Sequence, residues 1–285
     1  MSEPRYLGLD LGGTHLRIAA VSLKGALASP LLSVPTGPDF GPDDLYRDVR
    51  ALVERIAGEA NGRRPLTLGF ATVGVVGPGP LTQCGNLPRL DGVDVAALLR
   101  GAVSLPLAIE NDARCFTLAE ARFGAARGAR HVVGLTLGTG LGAGVIVDGR
   151  LHRGAASEAG EIYRIPLRGE PIERFLSGGG VVRAYAAAGG DAGTDSERVA
   201  EAARAGDGRA LAAWRSFGQD LLFLAEVVSA LVDPEVIVLG GSLVLAHDLF
   251  GPPLESRFAG GCTRVAWSAL GAAAGVIGAA ALQMP

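Results

Sequence analysis

Gly8-Leu9-Asp10-Leu11-Gly12-Gly13-Thr14 and Gly134-Leu135-Thr136-Leu137-Gly138-Thr139-Gly140 align at an offset of 126 residues. In each copy a short apolar run stops at a glycine turn, and a second apolar run follows. Further turns come next, at Lys24-Gly25 in one copy and Asp148-Gly149-Arg150 in the other. Apolar runs punctuated by glycine turns read as strands joined by hairpins. Two such units in one chain predict a duplicated α/β architecture of two similarly built domains facing each other. A small-molecule site is expected in a cleft of that kind.

Working outward, Tyr6 to Asp10, Leu16 to Leu23 and the stretch from Ala26 read as three consecutive strands. Leu45, Val49, Leu52, Val53 and Ile56 recur at helical spacing and predict a helix over Asp43 to Ala60. Leu66 to Val76 and Leu107 to Glu110 read as buried strands, and Asn111-Asp112 opens a helix to about Phe123. In the second half, Gly169 to Ala188 is expected to be helical after Pro171, with a small-residue loop over Ala186 to Gly193. A capped helix follows over Thr194 to Arg204, with Asp195 or Ser196 as the cap, and a long one over Arg209 to Leu231. Glu235 to Leu239 is a strand ending in Gly240-Gly241-Ser242, and the apolar run Ala269 to Leu282 is a buried C-terminal helix. The expected division is residues 1–112 plus 270–285 for one domain and 113–269 for the other.

The 285 residues correspond to about two domains at ~150 residues each. With 48% hydrophobic and 19% charged residues the chain has material for a sizeable core, which excludes disorder. A net charge of −3 provides no general field for nucleic acid or anionic membrane. Among 26 basic residues only Lys24 is lysine, and it does not follow a phosphate-loop glycine run, so a Walker-type loop is excluded. Schiff-base chemistry would depend on that same turn residue. Cys84, Cys115 and Cys262 are too scattered for a disulfide framework or a Cys-x-x-Cys metal pair. Met1 to Arg5 lacks a basic start followed by an apolar stretch, and Ala269 to Leu282 is short for a membrane span. A cytoplasmic protein is expected.

Three constellations carry chemistry. Glycines in the Asp10 to Thr14 turn let backbone N–H groups approach an anion, and Asp10 at the strand end can orient a metal-bound water. In Glu110-Asn111-Asp112, Asp112 is either the helix N-cap or a general base for an attacking hydroxyl. Asn111 beside it offers a donor and an acceptor, which suits a sugar hydroxyl. Between Gly154 and Glu173 lie Glu158, Glu161, Glu170 and Glu173. A solvated acidic face accounts for most of these, but not for Glu161 among its small and apolar neighbours.

Taken together, Asp10 to Arg17, Gly85-Asn86-Leu87-Pro88, Glu110 to Asp112, Leu137 to Gly144, Gly154 to Glu161 and Asp233 to Gly241 resemble the ROK family (repressors, open reading frames and kinases), in order and spacing over nearly the whole chain. The resemblance implies an actin-like, ribonuclease H-like pair of domains closing over ATP and a hexose. By position it implies that Gly12, Gly13 and Thr14 form a first phosphate motif and Gly138 and Thr139 a second, with Gly240 and Gly241 near the nucleoside. Gly74, Asn86, Asn111, Glu161 and Glu173 fall on sugar-contacting positions and Asp112 on the catalytic base. Asp10 would serve the Mg2+ carried with ATP.

One stretch departs from the family. Most relatives carry Glu-x-Gly-His followed by a cysteine-rich zinc loop, whereas this chain reads Glu161-Ile162-Tyr163-Arg164 and has no Cys from Ile165 to Glu173. No zinc is therefore expected, and packing is expected to hold the shortened loop. Arg164 is a permanent donor that either contacts the sugar or pairs with Glu161.

The resulting expectation is an ATP- and Mg2+-dependent hexose kinase, glucose being the first choice of substrate. The alternatives are an N-acetylmannosamine or other hexosamine kinase and a catalytically inactive sugar-binding regulator. With Asp10 ten residues from the start, no DNA-binding domain is expected ahead of it. Partners would be sugar and ATP, with no nucleic acid and no membrane, in a homodimer.

Overall fold

Leu7, Leu9, Leu11, Leu16 and Ile18 are fully buried and line one face of the first hairpin, as the alternation of its two strands dictates. That hairpin joins β1 (Arg5–Leu11) to β2 (His15–Ser22), paired antiparallel from Arg5↔Ser22 to Leu11↔Leu16. The computed structural model describes residues 5–59 and 65–285. Residues 1–4, at the start of the stretch read for a leader, and Ala60, the expected end of the first helix, lie outside them.

The chain divides into two compact units. Unit 1 is Met1–Gly124, Arg153–Ala159 and Ala272–Pro285; unit 2 is Ala125–His152 and Gly160–Gly271. Both differ from the division expected from sequence. The helix after Asp112 and the segment Arg153–Ala159 belong to unit 1, for reasons that lie in the site chemistry below.

In unit 1, β3 (Leu32–Pro35), α1 (Pro42–Glu59), β4 (Leu68–Thr72), α2 (Val95–Ala102), β5 (Leu107–Asn111) and α3 (Asp112–Phe123) follow the hairpin. The sheet order is β3-β2-β1-β4-β5, with β4 parallel to β1 and to β5. The third strand begins later than expected: Leu27 makes only an isolated bridge to Val21, and Ser29 and Pro30 intervene before β3. The helical apolar spacing of Leu45, Val49, Leu52 and Ile56 places all four in one core cluster with β1 and β2. The C-terminal helix packs closely on β1 and β4. A Cβ on Gly8 would fall 1.8 Å from the Val276 carbonyl oxygen, and one on Gly69 would fall 1.7 Å from that of Ala279. Glycine at these two paired strand positions therefore lets a helix of small residues lie on bare backbone.

Unit 2 contains β6 (Val132–Leu137), β7 (Leu141–Val147), β8 (Arg150–Leu151), β9 (Pro166–Leu167) and β10 (Glu170–Pro171). It continues with α4 (Gly178–Ala187), α5 (Ser196–Arg204), α6 (Gly208–Val232), β11 (Val236–Gly240), α7 (His247–Phe258) and β12 (Arg264–Trp267). The final helix, α8 (Ala274–Ala281), returns to unit 1. Its sheet runs β12-β11-β6-β7-β8, with β11 parallel to β6 and to β12 and the other pairs antiparallel. Strand for strand this is the topology of unit 1, so the short repeat marks a duplicated sheet. Trp214, Phe217 and Phe250 form the aromatic centre of its core, Trp214 stacked on Phe250 at 5.7 Å between centroids. Of the two cap candidates for α5, Asp195 is the one that caps it. Two boundaries differ most from expectation. The stretch after Pro171 is a 3-10 turn, Ile172–Arg174, and the helix begins only at Gly178. The C-terminal helix is confined to α8, after a 3-10 turn at Gly271–Ala273. Among the described residues no helix is long and apolar enough to cross a membrane.

Candidate active site

In unit 1 the first glycine turn is closed by the Gly12 N–H donating to the His15 carbonyl at 2.9 Å. Thr36, just past β3, grips the turn at both ends: its hydroxyl donates to the Gly12 carbonyl at 2.8 Å and its N–H to the Thr14 carbonyl at 2.9 Å. Sequence reasoning did not single out Thr36, because the contact spans 24 residues. Thr14 is exposed at the turn. Gly13 packs against Asn86, where a Cβ would meet the Asn86 Cβ at 2.8 Å. An expected phosphate position and an expected sugar position are thus neighbours.

Asp10, at the end of β1, has a side chain 14% exposed with the Arg17 guanidinium 3.9 Å away. Burial pushes its carboxyl up from 3.8 to about 6, and Arg17 offsets only part of that. A carboxylate under-compensated in this way would regain its charge beside a hydrated cation.

At the β5–α3 junction the structure exchanges the roles weighed from sequence. Asn111 is the N-cap of α3: its Oδ1 accepts from Ala113 N–H at 3.0 Å and Arg114 N–H at 3.2 Å. Its Nδ2 donates to the Gly74 carbonyl at 3.1 Å. Asp112 is instead the first helical residue, its Oδ1 accepting from Ala113 N–H at 2.8 Å. The helix dipole favours an anionic side chain there. Gly74 has φ +85°, and a Cβ would lie 2.6 Å from the Thr82 carbonyl oxygen, so only glycine fits the bend that Asn111 holds. Cys84 closes this region, its thiol pushed up to about 11 by burial.

Behind Asp112 lies a charge cluster that the sequence did not disclose. Glu110 and Arg114 are each 1% exposed and 3.1 Å apart. Glu110 also accepts from Arg153 Nε at 2.6 Å and from Asn111 N–H at 3.0 Å. Arg114 Nη2 donates to the carbonyls of Ser157, at 2.6 Å, and Ala159, at 3.0 Å. These bonds bind Arg153–Ala159 to unit 1. The only local signal was the i, i+4 spacing of Glu110 and Arg114 on the edge of a helix.

In unit 2 the second turn is one residue tighter: Gly138 N–H donates to the Gly140 carbonyl at 3.0 Å, and Leu137 pairs directly with Leu141. Thr139 is exposed at its tip. Gly240 ends β11, and Gly241, at φ +90°, presses on this turn; a Cβ there would lie 2.2 Å from the Leu137 carbonyl oxygen. The two glycine turns of unit 2 are therefore in contact. Glu161 leads a 3-10 turn, Ile162–Arg164, and is half-buried. Arg164 is exposed, its Nε donating to the Tyr163 hydroxyl at 3.0 Å. The Glu173 Oε2 accepts from Leu141 N–H at 2.8 Å. Glu173 thus supports the glycine turn with one carboxylate oxygen, a role not foreseen from sequence. Ile165 to Glu173 offers neither Cys nor His. Among the described residues no group of three or more His, Cys, Asp or Glu could hold a metal ion. The cysteine ligands of the usual zinc loop are thus missing from this stretch.

These features define the actin-like ATPase fold with a glycine turn in each half, the architecture of its structural neighbours. The chain belongs to the ROK family, which it matches over residues 6–284. It is 33% identical over 260 residues to the N-acetylgalactosamine kinase AgaK of Shewanella sp. (strain ANA-3), covering 84% of this chain and 82% of that protein. A ROK family glucokinase from Streptomyces griseus, solved in complex with glucose and AMPPNP, superposes with a TM-score of 0.82 at 27% identity, over 98% of both chains. The ROK hexokinase from Thermus thermophilus gives 0.80 at 30% identity, over 97% of this chain and 96% of that one.

Proposed function

We propose that this protein is an ATP-dependent sugar kinase that transfers the γ-phosphoryl group of Mg-ATP to a hexose hydroxyl, most simply glucose to glucose 6-phosphate. N-acetylmannosamine or another hexosamine is the alternative acceptor, and the likeness to an N-acetylgalactosamine kinase supports keeping it in view. Family resemblance alone supports the further reading of a cytoplasmic homodimer.

The observation that carries the proposal is the Asn111 cap. By occupying the cap position and gripping Gly74, Asn111 leaves Asp112 as a carboxylate at the first residue of α3. In this reading Asp112 takes the proton of the sugar hydroxyl as its oxygen bonds to the γ-phosphorus. The bond from that phosphorus to the β–γ bridging oxygen breaks, and ADP leaves with the electron pair. Phosphoryl transfer of this kind depends on positioning and charge neutralisation. Gly12, Gly13 and Thr14 in unit 1 and Gly138, Thr139, Gly240 and Gly241 in unit 2 would approach the nucleotide. Asp10 would hold the hydrated Mg2+, which supplies charge neutralisation at the phosphates when bound. Gly74, Asn86, Asn111, Glu161, Arg164 and Glu173 would serve the sugar.

The test is ADP release from Mg-ATP with glucose, mannose, fructose, N-acetylglucosamine, N-acetylgalactosamine and N-acetylmannosamine, beside the Asp112→Asn protein. Sugar-dependent turnover that the variant loses supports the proposal and names the acceptor. No turnover with any sugar by folded protein would overturn it.

A further inference from the structure

The segment from Glu161 to Glu173 carries no cysteine or histidine, and bonds within the chain hold its shape. Its centre is a two-residue hairpin: β9 and β10 pair through Glu170↔Leu167 and Pro171↔Pro166, and Ile172 N–H donates to the Ile165 carbonyl at 2.8 Å. Arg168 and Gly169 form the tip, at φ +52° and +81°. Such tips favour Asn, Asp or Gly, and an arginine in the left-handed region is disfavoured by its Cβ. Its guanidinium supplies the compensation. Arg168 donates from Nη1 to Asp220 Oδ2 at 3.0 Å and from Nη2 to Oδ1 at 2.5 Å, a two-bond fork. The same group lies 5.0 Å from the centroid of the Phe175 ring.

Asp220 belongs to α6 and is 6% exposed, so an unpaired charge there would be strongly unfavourable. The fork therefore ties the hairpin tip to the longest helix of unit 2. One end of the hairpin leads from Glu161 and Arg164. The other leads into Glu173, which accepts from Leu141 N–H beside the Gly138–Gly140 turn.

We infer that the Arg168–Asp220 pair is a metal-free clasp that positions Glu161, Arg164 and Glu173, and through Glu173 the Gly138–Gly140 turn. Arg168 and Asp220 act through these residues as positioning groups, and the inference rests on the sugar-kinase reading for its functional consequence.

Two variants separate the clasp from the turn. Asp220→Asn removes the ion pair while leaving the exposed Arg168 solvated. Arg168→Asn with Asp220→Asn keeps a residue suited to the left-handed tip and leaves no buried charge. Hydrogen exchange in 161–176 and at the Leu141 N–H is expected to quicken in both variants, with β1 to β5 unchanged. Calorimetric affinity for the acceptor sugar should fall roughly 10- to 100-fold, with a smaller change in kcat than in KM. Unchanged exchange in 161–176 in both variants would overturn the clasp. So would equimolar zinc released from unfolded wild-type protein. Exchange needs no turnover, so absence of kinase activity in the wild type would refute the function while leaving the clasp separately decided.

Discussion

Glu110 and Arg114, which flank Asp112 in the chain, are joined 3.1 Å apart, each 1% exposed. Arg114 reaches on to the backbone of Ser157 and Ala159, and Arg153 returns to Glu110. The peptide that closes this network therefore owes its place to buried charge, not to apolar packing. Arg114→Met leaves Glu110 with only Arg153 and the Asn111 N–H and strips the carbonyls of Ser157 and Ala159 of their donor, so it should destabilise the protein by about 2–4 kcal/mol. Urea unfolding monitored by circular dichroism checks this. A variant within 1 kcal/mol of wild type would mean that solvent reaches the pair.

Asn111 and Asp112 should separate cleanly. Asn111→Ala loses the α3 cap and the Gly74 tether, so its unfolding midpoint should fall by the equivalent of about 1–2 kcal/mol. Asp112→Asn should leave that midpoint nearly unchanged and, if Asp112 is the base, nearly abolish turnover with sugar and nucleotide binding retained. Titration calorimetry beside ADP release makes the comparison.

Asp10 gives a pH signature. Its carboxyl is raised from 3.8 to about 6, so the folded state holds this proton more tightly than the unfolded state. Stability from this group is fully present below pH 3.8 and is lost as pH rises to about 6. Asp10→Asn should therefore stabilise the protein at pH 7 to 8, by on the order of 2–3 kcal/mol, and change little near pH 3.5. Urea titrations across that range decide it. Equal effects at both ends would remove the proton linkage.

Two glycines of unit 2 should respond differently to alanine. Gly241→Ala forces a Cβ to 2.2 Å from the Leu137 carbonyl oxygen in a left-handed backbone, so both stability and nucleotide affinity should fall. At Gly138 the nearest atom to a Cβ is Ser242 Oγ, at 3.5 Å, so Gly138→Ala should keep its melting temperature. Any loss of AMPPNP affinity in Gly138→Ala then reports on the phosphate approach alone.

Arg164→His should redistribute activity across the sugar panel, since it replaces a permanent cation with a ring that can also accept. Ratios of kcat/KM for glucose and the N-acetylhexosamines provide the readout. Unchanged ratios would place this exposed residue outside the sugar site.

The duplicated sheet, its glycine turns and most helices were written in the sequence, because they depend on residues close together in the chain. Strand alternation around Leu7, Leu9 and Leu11, the helical spacing of Leu45 to Ile56 and the turn chemistry of Gly12-Gly13 each act within about ten residues. The family motifs, being local too, carried the proposed site by position. Only the tertiary structure decided how those residues divide the work. It made Asn111 the cap and left Asp112 at the first helical residue, because Gly74, 37 residues away, supplied the acceptor for the Asn111 amide. It assigned Arg153–Ala159 to unit 1 through bonds spanning 43 and 45 residues, and fixed the cysteine-free hairpin to Asp220 across 52. Polar groups withdrawn from water must find partners wherever the fold places them, and no periodicity in the chain encodes which partner that will be.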